Sequence, residues 1–353
     1  MQPFKLFCTS SFGILAASLP AVAQSVVISL PLPSPRATVS QRVALTDITV
    51  TYHRPHVAGR KIFGETVPYG KVWRAGANDN TVVEFSDPVM VEGQPLSKGA
   101  YGLHMIPDAD SFIVIFSKNS TSWGSFTYDA KEDALRVTVK PVTAEMHETL
   151  TYEFADAKPE SAVLMLEWEK IAVPVRIEAD REVTLTHIRN QLRTTPRRIW
   201  QGWNDAADWC VKNKTNLEEA LTWSGRSIEL DDRFENELTK SKVLAALNRQ
   251  TEADTVRATA FEKGTAMQLF SFAENALISG RKDEAMGTYK MVAARFPDIW
   301  LGHLSKMRLD VAAGDFAGAL KEIQAARAGA PEAYKTVLED VEKRIEKKED
   351  VNS

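Results

Sequence analysis

The sequence predicts an α+β protein of two unlike regions, an N-terminal all-β sandwich or barrel followed by a C-terminal all-α solenoid. Three observations carry this. Across residues 34–178, polar and apolar residues alternate in short runs rich in β-branched and aromatic side chains, the period of half-buried strands. After Asp180 proline nearly vanishes, alanine and leucine rise, and the apolar spacing becomes three and four, the period of amphipathic helices. Within that second region one helix-opening pattern returns every 32 to 34 residues. The 353 residues are 44% apolar with a net charge of −4, a composition that excludes collagen-like, low-complexity and wholly disordered chains.

Residues 1–23 have the order of an export signal. Lys5 provides a positive start, residues 6–19 are moderately apolar, and Ala21-Val22-Ala23 presents small residues where a signal peptidase cuts, so cleavage is expected after Ala23. The apolar run is too short to span a bilayer, and no later run is long enough. A mature chain beginning at Gln24 would have no transmembrane span and would be periplasmic or secreted. Cys8 would leave with the signal, and Cys210 alone allows no internal disulfide. Residues 24–33 read as a linker.

Strands are expected at 48–52 (ITVTY), 81–85 (TVVEF), 101–106 (YGLHMI), 112–116 (FIVIF), 135–139 (LRVTV), 150–154 (LTYEF) and 163–168 (VLMLEW). Turn residues separate them, including Glu92-Gly93 and the run from Pro107 to Asp110. Eight or nine strands at this spacing over 34–180 suit a sandwich or barrel.

Residues 181–199 are expected to form a connecting helix. Over 200–335, Ala220, Ala253, Ala285 and Ala319 recur at intervals of 33, 32 and 34, with Gly280 and Gly314 in the turns before two of them. This resembles the tetratricopeptide repeat, a helix–turn–helix unit of about 34 residues with a small residue where neighbouring helices cross closely. Residues 336–353 read as a polar, solubilising helix and tail. Trp200, Trp203, Trp209 and Trp223 concentrate near the start of the array, as repeat-core residues or as packing toward the β region. Cys210, between Trp209 and Val211, reads as a packing residue.

Charge narrows the partners. Residues 34–180 contain 15 basic and 20 acidic residues, and residues 181–353 contain 27 of each. Neither region has a basic stripe suited to a phosphate backbone, which argues against nucleic acid.

Several long motifs mark the β region. They include Tyr52-His53-Arg54-Pro55, residues 59–64 (GRKIFG), 67–78 (VPYGKVWRAGAN), 98–107 (KGAYGLHMIP) and 123–128 (WGSFTY). Together they closely resemble the bacterial family of domain of unknown function 2911 over nearly all of 34–178. The resemblance implies an exported β-rich domain and no particular activity.

Residues 67–78 are the densest in chemically useful groups. Pro68, Gly70 and Gly76 make a loop around a short strand at 71–74. It displays Tyr69, Trp73, Arg74 and Asn78, which can stack, fork onto a carboxylate and hydrogen-bond. Such a set suits a sugar or carboxylated ligand. The other reading is that Trp73 fills the core while Arg74 and Asn78 satisfy loop carbonyls. Arg54 and Arg60 could hold an anion. His53, His56 and His104 are weak metal candidates, with His147 a further donor, because Pro55 favours extended chain where a helix would pair His53 with His56. No cofactor is implied: no phosphate-cradling glycine loop follows a strand, and Trp123-Gly124-Ser125 lacks the nucleophile-elbow pattern.

The leading expectation is a non-enzymatic exported binding or scaffolding protein. Its β region would take a small polar or carbohydrate ligand, and its helical repeats a protein or peptide partner. The alternative is an envelope hydrolase, metal-dependent in one version, that uses the histidines and arginines of the β region.

Overall fold

The computed structural model describes residues 30–352. The expected signal peptide and residues 24–29 of the linker lie outside the described residues. The chain divides into two compact units between Val183 and Thr184.

Ten strands build the first unit: β1 (Arg36–Val43), β2 (Thr46–His53), β3 (Thr81–Phe85), β4 (Val89–Val91), β5 (Gln94–Leu96), β6 (Gly99–Pro107), β7 (Phe112–Ser117), β8 (Asp133–Val139), β9 (Val142–Lys158) and β10 (Ser161–Ala179). They form two antiparallel sheets, ordered β1-β2-β3-β6-β7-β8 and β5-β4-β10-β9. Alternation sets the inner faces: on β2, Ile48, Val50 and Tyr52 are buried while Asp47 is exposed. The register places Val50 opposite Val83, and Leu103 opposite Phe116. These residues share one apolar core with Leu164, Leu166, Val173 and Ile177 of the second sheet, so the sheets face each other.

β9 and β10 run far beyond the expected 150–154 and 163–168. Glu145, Glu148 and Glu153 on β9, and Glu167 and Lys170 on β10, occupy the wetter positions and interrupt the apolar pattern. Register shifts around Glu169, which has a φ of 57°, bend β10 beside Trp168.

A long excursion, residues 54–80, separates β2 from β3. Its first part pairs with β9, where Val57 N–H donates to the Glu148 carbonyl at 2.7 Å and Pro55 accepts from Leu150 N–H at 3.0 Å. Its later part pairs with β6, through reciprocal 2.8 Å bonds between Trp73 and Met105. The strand expected at 71–74 is thus a single bridge. One loop spans both sheets.

The second region contains α1 (Arg181–Gln191), α2 (Trp200–Lys212), α3 (Leu217–Leu230), α4 (Phe234–Ala246), α5 (Gln250–Lys263), α6 (Ala266–Ile278), α7 (Lys282–Arg295), α8 (Trp300–Ala312), α9 (Phe316–Gly329) and α10 (Glu332–Glu346). Consecutive helices stack on one another from α2 to α5 and from α6 to α10, and α5 meets α6 through the edge-on rings of Phe261 and Phe272. The recurring alanines lie on α3, α5, α7 and α9, each at most 1% exposed, which is why only a small side chain serves there. Trp203, Trp209 and Trp223 pack in a helix-unit core around Cys210. α10 begins after Pro331, earlier than expected. The tail beyond it is docked: Val351 and Asn352 are buried, and the Asn352 amide donates to the Arg308 carbonyl at 2.9 Å.

Candidate functional site

The two-sheet excursion walls a cleft of about 540 Å³, lined among others by His56, Arg60, Trp73, Arg74, Asn78 and Trp168. Five of the residues singled out from sequence therefore meet here. Arg60, Arg74 and His56 face it, and no carboxylate is among the lining residues, although residues 34–180 are net acidic. The cleft is locally cationic.

Each polar residue is held by the loop. Trp73 Nε1 donates to the Gly76 carbonyl at 3.0 Å, Arg74 to the Asn78 carbonyl at 2.6 Å, and Asn78 Nδ2 to the Ser34 carbonyl at 3.2 Å. Arg60 donates to the carbonyls of Val57 and His56. His56 Nδ1 lies 2.9 Å from Thr149 Oγ1. A guanidinium has five donors in a planar fork, so one bond to Asn78 fixes Arg74 without exhausting it. Burial lowers the Arg74 pKa, with Asp79 opposing; the side chain stays charged. Trp73 is both wall and core, stacked on Trp168 at 5.8 Å and edge-on to Phe63 at 6.0 Å.

Three non-glycine residues of these loops, Ala58, Ala75 and Asn78, have φ between 48° and 55°. Such left-handed conformations cost about 1 kcal/mol each and persist only where surroundings enforce them. Here the Ala75 carbonyl accepts from Thr81 Oγ1 at 3.0 Å and from Tyr152 Oη at 2.9 Å, and Ala58 N–H donates to Glu148 at 2.9 Å.

The remaining sequence candidates lie elsewhere. Tyr69 is not among the cleft's lining residues, and its ring lies over Gly64. Arg54 staples the sheets, donating to the Leu150 carbonyl at 3.1 Å and to Thr151 Oγ1 at 2.9 Å. His53 is buried, and its Nδ1 has no hydrogen-bond partner among the described residues. His104, on β6, lines a separate hollow too small to admit a water-sized sphere. Its Nδ1 is 2.9 Å from Ser125 Oγ and its ring 5.2 Å from that of Tyr128. Burial lowers its pKa to about 4; Asp133 opposes this and Arg74 adds to it. Among the described residues no three His, Cys, Asp or Glu side chains are grouped so as to hold a metal ion, so His53, His56 and His104 do not form one set.

Residues 34–177 match the family described as "Protein of unknown function (DUF2911)". These residues form a DUF2911 domain. The match spans both sheets and, apart from Pro33, every residue lining the cleft. Beyond that family, no curated protein matches the chain. The DUF2911 domain holds one feature that sequence reasoning passed over: Trp123 and Phe126, on the connection between β7 and β8, stand 59% and 77% exposed with Arg74 against their rings.

The helical region has two hollows of its own. One, about 790 Å³ between α5 and α7, includes Arg257, which stacks on Phe261 and Phe272 and pairs with Glu284. The other, about 410 Å³, is lined by α6, α8 and α10. At its floor Glu274 pairs with Arg308 at 3.0 Å and accepts a short bond from Tyr289. Among the described residues no helix is long and apolar enough to cross a membrane.

Proposed function

We propose that the chain is an exported, non-enzymatic binding protein, whose DUF2911 cleft takes a small carboxylated polar ligand and whose helical repeats take a protein partner. The observation that carries the ligand reading is the cleft lining: Arg60, Arg74 and His56 with no carboxylate, beside the indole of Trp73. A fork-shaped guanidinium recognises a carboxylate through paired charge-assisted bonds, and an indole face takes the ligand's apolar side. Calorimetric titration with D-galacturonate and D-glucuronate, against D-galactose and D-glucose, tests it. The acids should bind, weaken as salt rises, and lose at least tenfold in affinity with Arg74→Ala. Absence of binding by both acids would sink the reading.

The partner reading is supported by the α6–α8–α10 hollow, where Met267 and Val337 are exposed beside Phe270, Trp300, Leu304 and Tyr334. A partner captured by the full chain from a periplasmic extract should be lost with the double variant Met267→Asp, Val337→Asp; equal capture by both refutes this surface. Export is tested by sequencing the mature N-terminus, which should begin at Gln24.

One observation favours the hydrolase alternative, the contact between Ser125 Oγ and His104 Nδ1. A base with a pKa near 4 removes a serine proton poorly at neutral pH. Covalent labelling of Ser125 by a fluorophosphonate, lost with His104→Gln, would favour that reading over the binding one.

A further inference from the structure

The connection between β7 and β8 presents two offset-stacked aromatic rings, a stepped apolar plate, to solvent. The rings of Trp123 and Phe126 are parallel within 11°, their centroids 5.7 Å apart. The plate is anchored from below. Trp123 bridges Asp79 by backbone pairing, Asn80 N–H donates to the Ser122 carbonyl at 3.1 Å, and Ser125 is held by His104. On the β8 side, Tyr128 donates to Asp133 at 2.8 Å.

Arg74 joins plate and cleft. Its guanidinium carbon lies 5.0 Å from the Trp123 centroid and 5.6 Å from that of Phe126, and the same residue lines the cleft. The approach depends on Gly124, where a Cβ would come within 2.9 Å of the guanidinium. A residue type that can take a φ of +72° and leave that space empty is glycine.

We propose that Trp123 and Phe126 extend the cleft into a site for an acidic oligosaccharide, with one sugar carboxylate on Arg74 and neighbouring pyranose rings stacked on the plate. This rests on the cleft reading above and names the ligand class for it. A pyranose offers a flat face of polarised C–H groups that complements the negative face of an aromatic ring. It is also rigid, so stacking costs little conformational entropy. The charge argument selects the acid: arginines line the cleft without carboxylates on a domain that is otherwise acidic.

The experiment uses the full mature chain and three probes, galacturonate, trigalacturonate and maltotriose, titrated by calorimetry with tryptophan fluorescence in parallel. Trigalacturonate should bind at least tenfold tighter than galacturonate, and maltotriose at least tenfold more weakly than trigalacturonate. In Trp123→Ala with Phe126→Ala the ratio of trimer to monomer affinity should collapse toward one. Trp123→Phe with Phe126→Tyr should keep most of it. A trimer that binds no tighter than the monomer, or a ratio that survives both alanines, overturns the plate and leaves the cleft reading standing. Maltotriose binding as tightly as trigalacturonate overturns the acidic class. Failure of galacturonate itself to bind overturns the cleft reading and this inference with it.

Discussion

Acidification should destabilise the DUF2911 domain through His104. The imidazole is 2% exposed, and burial brings its pKa from 6.5 to about 4. Above pH 6.5 the ring is neutral in folded and unfolded chains alike. Between pH 6.5 and 4 the unfolded chain takes up the proton and the folded one does not, so stability present above 6.5 is lost as pH falls. At about 1.4 kcal/mol per tenfold in proton affinity, the full loss is about 3 kcal/mol, with about 2.5 kcal/mol gone by pH 4.5. Carboxylates also titrate in that range, and a two-unit chain need not unfold in one step. The measurement is therefore a difference: urea midpoints from methyl resonances of Val83 and Leu103 at pH 7 and 4.5, in wild type and in His104→Gln. The glutamine amide can still meet Ser125 but cannot titrate. Wild type should lose about 2.5 kcal/mol more than the variant across that interval. Equal losses, or a His104 ring that titrates above pH 6 by NMR, would refute the reasoning.

Three further outcomes follow from packing. Cys210 is fully buried and its thiol is pushed up to about 11 by burial and by Glu219, so a disulfide reagent at pH 8 should leave the native chain unlabelled and react fully after denaturation; native labelling within minutes contradicts that placement. In α8, a Cβ on Gly302 would meet the Phe296 carbonyl oxygen at 1.8 Å, whereas Gly225 in α3 has open space around it; Gly302→Ala should cost about 3 kcal/mol and Gly225→Ala should gain about 1 kcal/mol, read as opposite changes in Tm. Arg54→Ala should lower stability by about 2 kcal/mol through the lost bonds to Leu150 and Thr151 and leave galacturonate affinity within twofold; lost binding at unchanged Tm would mean that the cleft has been drawn too narrowly.

Much of the fold was legible because it rests on local periods. The strand runs at 48–52, 81–85 and 112–116 lie within β2, β3 and β7, and the recurring alanines lie buried on alternate helices. The full length of β9 was not legible, because a strand with one wet face can place Glu148 and Glu153 among its apolar residues without breaking its pairing. The docked tail was equally hidden. Residues 347–352 read as polar and solvated, yet Val351 is 6% exposed, and Arg308 binds its carbonyl from α8, a contact more than 40 residues away in sequence.

The site divides along the same line. Residues 67–78 stood out by composition, and Trp73, Arg74 and Asn78 do meet at one cleft because a single loop carries all three. His56 and Arg60 reach the same cleft from a segment pinned to β9, a convergence that depends on the facing of two sheets and has no local signature. Tyr69 and Arg54 show the converse: one rests over Gly64 and the other staples the sheets, although residue type alone suited both to a ligand. Trp123 was read as part of the 123–128 motif and for what its Gly124-Ser125 neighbours lack as a nucleophile motif, with no ligand role. What gives it meaning is Arg74, 49 positions earlier in the chain. A cation held at one end by the Asn78 carbonyl and flanked at the other by two exposed rings has a fixed direction. In the proposed site, that fixed direction would let a single guanidinium serve both a carboxylate in the cleft and a sugar ring stacked beside it. Replacement by lysine should keep the charge and lose the alignment: Arg74→Lys should retain part of the galacturonate affinity but bring the trimer-to-monomer ratio toward one, and a ratio equal to wild type would show that the plate works without Arg74.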